Sequence, residues 1–101
     1  MAVAMMTENP EGTQEIYERI RELIGPDRPA GGVLHLAGPA PGGGWRVIEV
    51  WDSQEDGRRF FEERCVPAFE AVGVSTPPEP QVWRVHNYIV EPGRQLASEA
   101  R

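Results

Sequence analysis

A chain of 101 residues has room for one domain, and 40% hydrophobic with 26% charged residues fits a globular rather than a disordered protein. The net charge of −6, with no Lys/Arg run and no basic–aromatic stripe, argues against a nucleic-acid or anionic-membrane partner, because both need a positive field. The single cysteine, Cys65, rules out a disulfide within the chain and fits a reducing compartment. Met1 to Met6 lacks the charge and length of a signal peptide, and no apolar run reaches a membrane span, so a cytoplasmic location is the expectation.

Residues 2–6 are apolar throughout, as a strand covered on both faces would be. Thr13 can cap a helix over 14–24, in which Ile16, Ile20, Leu23 and Ile24 share one face, with Tyr17 at its edge. Gly25-Pro26 ends it. Residues 32–38 read as a second strand. Pro39 to Gly44 is a flexible connection; its three consecutive glycines lack the following Lys-Ser/Thr of a phosphate loop and precede a strand rather than a helix. Trp45 to Trp51 is the third strand, rich in Val, Ile and Trp. Ser53 then offers a cap and Asp56 a capping-box acid for a helical region over 54–73, which Pro67 should kink or divide. After a Pro-rich loop, residues 81–90 read as a fourth strand. Residues 1–90 thus form the expected domain and 91–101 a polar tail.

The order β-α-β-β-α-β is that of a ferredoxin-like α+β domain, with both helices on one face of a four-stranded antiparallel sheet. Strand alternation sorts the residues into two faces. One set holds Leu34, Leu36, Ile48, Val50, Trp83, Val85 and Ile89 and is expected to lie under the helices. The other set is mixed: Val33, His35 and Ala37; Trp45, Val47, Glu49 and Trp51; Val82, Arg84, His86 and Tyr88. It is too apolar for water, and the simplest cover is a second copy, giving a homodimer through the sheet face and a dimeric α/β barrel.

The run Val50-Trp51-Asp52-Ser53, followed by Phe60 and Phe69 in this element order, resembles small dimeric α/β-barrel proteins of the antibiotic-biosynthesis-monooxygenase type. Element order matches over residues 2–90, and detail over 44–69. The resemblance implies a ferredoxin-like dimer. It offers two chemistries: haem degradation, and cofactor-independent oxidation of aromatic polyketides. The haem-degrading branch places a Trp where this chain has Phe60 and its ligating His where this chain has Glu70, so that chemistry is not expected. The other branch works with Asn, Trp, Tyr and Arg side chains and no bound cofactor. Trp51, Arg84 and Tyr88 are of the right types.

The residues supply their own candidates. If Pro39 pairs with Trp45, His35 lies directly across from Glu49. A carboxylate set against an imidazole makes an acid–base pair that can work near neutral pH; the structural alternative is an interface ion pair. His86 joins these two as a third catalytic candidate. Arg84 and Tyr88 share its strand face, where Arg84 could hold a phenolate; the alternative is a polar interface rim. Trp51 is the candidate wall of an aromatic pocket. No metal-ligand spacing occurs, Cys65 reads as a small buried hydrophobe, and no cofactor is called for. Two functions follow as expectations: a cofactor-independent monooxygenase of an electron-rich aromatic, or a non-catalytic dimeric binding module.

Overall fold

Side-chain caps start both helical regions. Thr13 Oγ1 accepts from the Ile16 N–H and Ser53 Oγ from the Asp56 N–H, each at 3.1 Å, satisfying amide groups that a first helical turn leaves unpaired. The structure, a computed structural model, describes residues 1–92. In chain order it contains β1 (Val3–Asn9), α1 (Gln14–Ile24), β2 (Gly32–Pro39), β3 (Trp45–Trp51), α2 (Gln54–Phe60), a π-helical turn (Phe61–Cys65), α3 (Val66–Val72) and β4 (Gln81–Arg84). The strands form one antiparallel sheet in the order β2-β3-β1-β4, the expected α+β ferredoxin-like arrangement. The tail expected from Glu91 onward lies outside the described residues beyond position 92.

The second helical region is divided as Pro67 requires, and the π turn is how. The Val66 N–H reaches back five residues to the Phe61 carbonyl, and Pro67 then sits in the first turn of α3, where no N–H is needed. At its start α2 lies tight on the sheet. A Cβ on Gly57 would stand 2.9 Å from both Met5 Sδ and Trp51 Cδ1, so glycine is what permits this approach.

The fourth strand is shorter than its residue types suggest. It ends at Arg84, and His86 and Tyr88 follow it as exposed, non-strand residues. The irregularity between Gly32 and Leu34 also takes Val33 out of the alternation expected for β2.

The two sheet faces are the reverse of the sequence expectation. The helices pack on the mixed face: Val3, Met5 and Trp51 join Ile20 and Ile24 of α1, Phe60 of α2 and Ala68 of α3 in one core cluster. The apolar set points away from them. Leu34 pairs with Val50, Leu36 with Ile48, and Ala4 of β1 with Val50 and Trp83, and on this side Leu36 and Trp83 remain 49% and 46% exposed. The reason is physical. The polar groups of the mixed face bond one another beside α1 while staying partly open to water, and the Trp51 ring supplies contact area for Phe60.

Candidate functional site

β2 and β3 close their hairpin with Pro39 opposite Trp45, and this register sets His35 opposite Glu49. The alternation then aims both at α1. His35 Nδ1 lies 2.9 Å from Glu49 Oε2. A carboxylate only accepts, so Nδ1 carries the proton and Nε2 is left as an acceptor. The Tyr17 hydroxyl of α1 donates to that Nε2 at 2.5 Å. On the other side, Trp51 Nε1 donates to Glu49 Oε1 at 3.2 Å. The result is a continuous chain, Tyr17–His35–Glu49–Trp51, that crosses from helix to sheet and ends in the most deeply buried tryptophan, 2% exposed.

Aromatic contacts hold this chain in place. The Tyr17 ring stacks with the His35 ring at 5.9 Å between centroids and lies tilted against the Trp45 ring at 5.5 Å. Trp51 in turn packs on Phe60 at 5.3 Å. Burial pushes the Tyr17 phenol above its ordinary value; Arg21 opposes that shift and Glu49 adds to it. Tyr17 is therefore a neutral hydrogen-bond donor at physiological pH. The Trp45 Nε1–H is buried and has no hydrogen-bond partner among the described residues.

A cavity of about 110 Å³ lies against this wall. α1 lines it with Ile16, Tyr17, Ile20 and Arg21, the sheet with Thr7, His35, Trp45, Val47 and Glu49, and the second helical region with Phe60, Phe61, Cys65 and Phe69. An engineered cavity of ~150 Å³ holds benzene, so this one suits a single aromatic ring or one end of a larger planar molecule. A second cavity, about 140 Å³, is lined by Pro26–Pro29, β2 and Trp51. His35, Glu49, Arg21 and Phe60 border both, so the imidazole–carboxylate pair faces an aromatic chamber and a more polar one.

Of the sequence candidates, His35, Glu49 and Trp51 are brought together. His86, Arg84 and Tyr88 are not: Arg84 pairs with Val3 at the end of the outer strand β4, and none of the three lines either cavity. Cys65 lines the aromatic cavity, and burial pushes its thiol up to about 12, with Glu49 adding to the shift and Arg21 and Arg64 opposing it. It is a protonated, unreactive group at neutral pH. Sequence reasoning missed Tyr17 as a site residue. Its place at the edge of the apolar helix face was the available signal, but nothing in the chain pairs residue 17 with residue 35.

No protein-family profile matches this chain, and no curated protein does. Solved structures do share its fold. An antibiotic-biosynthesis-monooxygenase-type protein of Chloroflexus aurantiacus superposes with a TM-score of 0.58 at 16% identity, over 88% of this chain and 95% of that one. One of Deinococcus radiodurans gives 0.51 at 13%, over 92% and 100%. SnoaB, a cofactor-independent oxygenase of Streptomyces nogalater, gives 0.53 at 19%, over 89% and 95%. At such identities the likeness establishes a shared ferredoxin-like fold.

Proposed function

We propose that this chain is a small-molecule protein of the cofactor-independent monooxygenase kind, acting on an electron-rich hydroxyarene held in the aromatic cavity. The observation that carries this reading is the imidazole–carboxylate pair set into the wall of a one-ring apolar chamber. The fold it shares with a cofactor-independent oxygenase supports it. Deprotonating a phenol makes the ring electron-rich enough to pass electrons to dioxygen. One oxygen atom stays on the ring carbon as a carbonyl and the other leaves as water; the two hydrogens of that water are the one on the oxidised ring carbon and the one of the phenolic O–H. The protein contributes orientation, a proton acceptor and exclusion of bulk water. His35 is the acceptor, Glu49 fixes its tautomer, and Trp51 holds Glu49. Arg84, His86 and Tyr88 stand aside from this chemistry.

The working form is a homodimer in the cytoplasm, joined through the apolar sheet face opposite the helices; Leu36 and Trp83, half exposed on that face, support this. Oxygen uptake with a panel of hydroxynaphthalenes and anthrones tests the activity. Uptake that depends on the arene and falls ~10²-fold in His35→Ala is the expected result. Arene binding with no oxygen uptake would favour the non-catalytic binding module instead.

A further inference from the structure

The Nε2 atom of His35 is not free to meet a ligand. The Tyr17 hydroxyl occupies it at 2.5 Å, and the Tyr17 ring is held by its tilted contact with the Trp45 ring. Tyr17 itself lines the aromatic cavity. A ligand hydroxyl entering that cavity can therefore meet the phenol of Tyr17 with the imidazole behind it. We propose that Tyr17 is the ligand-facing member of a proton relay, passing the proton of a bound hydroxyarene to His35. The inference rests on the reading of the cavity as a hydroxyarene site. As the ligand O–H bond breaks, its proton moves to Tyr17 Oη; the Tyr17 O–H bond breaks in the same event, and that proton forms the N–H bond at His35 Nε2. The ligand becomes an anion that accepts a hydrogen bond from the re-formed Tyr17 hydroxyl. The imidazolium is balanced by Glu49 at 2.9 Å. No electrons are exchanged in this step.

The titratable groups around the relay come from each element packed on it: Arg21 from α1, Asp27 and Arg28 from the loop after it, Glu49 from β3 and Cys65 from the π turn. Cys65 stays protonated at neutral pH, so Arg21 and Glu49, with Asp27 and Arg28 on the side of the second cavity, are the charges the new ion pair meets. Arg21 lines the same cavity and favours an anionic ligand there.

4-Nitrophenol reports the relay directly, because its anion is yellow and its neutral form is not. The wild-type protein is expected to bind the probe and hold it as the anion at a pH where free probe is mostly neutral. Tyr17→Phe is expected to bind the probe with less than threefold change in Kd and to hold it neutral. His35→Asn should do the same. Because Tyr17→Phe could weaken folding, a second variant carries 3-fluorotyrosine at position 17 alone. Its more acidic phenol should shift the pH profile of probe ionisation, which a purely structural Tyr17 would leave in place. Ionisation of the probe by Tyr17→Phe at wild-type level or above overturns the relay and leaves His35 as a direct acceptor. Wild-type binding of the neutral probe only overturns the relay while keeping the cavity as an arene site. No binding to wild type overturns the cavity reading and the relay with it.

Discussion

Cys65 and Tyr17 carry a stability consequence of their burial. The Cys65 thiol is raised from 9.0 to about 12, and the Tyr17 phenol is raised above 10.0. Both bind their protons more tightly in the folded than in the unfolded chain. As pH climbs past 9.0, the unfolded chain releases the Cys65 proton while the folded chain keeps it. The unfolded state then binds fewer protons, and stability falls with rising pH. Melting temperature followed from about pH 8 to about pH 11 should decline, and Cys65→Ala should decline less steeply. Equal slopes would mean that the thiol is not held protonated by the fold. The same residue should resist alkylation at neutral pH until the chain unfolds, since only a thiolate attacks.

At the scale of elements, α1 matters most to the site, because it alone carries Tyr17 to His35. Its start depends on one side chain. Thr13 caps it with extended backbone, φ −136° and ψ 164°, and Thr13→Ala should cost about 1 kcal/mol, read as a lower urea midpoint. Its end is held by Gly25, at φ 90°, and by Arg64 of the π turn, whose guanidinium reaches the Ile24 carbonyl. That contact ties the π turn to the last turn of α1, two elements that line the same chamber. An unchanged urea midpoint in Thr13→Ala would show that this link, rather than the cap, fixes the helix. Phe61 and Cys65, at the two ends of the π turn, both line the cavity.

At the scale of the whole molecule, the sheet face opposite the helices is the feature the described residues leave partly uncovered. Leu36 and Trp83 are large, half-exposed and adjacent to Ile48, Val50 and Ala4 on the same side. Water against such a face is unfavourable by roughly 25 cal/mol for each Å² of apolar surface. A self-complementary patch across a two-fold axis removes it. Light scattering after size exclusion should give twice the 11.3 kDa of one chain. Leu36→Glu should reduce that to one chain and leave the helix-side network intact, because Leu36 points away from His35. A wild-type mass of one chain across micromolar concentrations would sink the dimer. No helix among the described residues is long and apolar enough to cross a membrane.

Much of this was determined by local sequence. The caps at Thr13 and Ser53, the stop at Gly25, the break at Pro67 and the hairpin register that sets His35 against Glu49 all follow from residue type and spacing, because each is a contact between chain neighbours or across one short turn. Which residues share a sheet face is likewise fixed by alternation, outside the bulge at Val33. Which layer covers which face is not. Both faces of this sheet carry enough apolar surface to be buried, so a helix layer and a second chain compete on equal terms in the sequence. The tertiary structure decides by pairing polar groups: His35, Glu49 and the Trp51 indole satisfy one another under the helices, and Tyr17 completes them from α1. That bond joins residues eighteen positions apart on different elements, a proximity that no pattern of spacing encodes. The length of β4 was also decided in three dimensions: its register with β1 ends at Arg84 opposite Val3, the Val85 N–H adds one bond to the Ala2 carbonyl, and among the described residues no strand pairs with the strand-forming residues that follow.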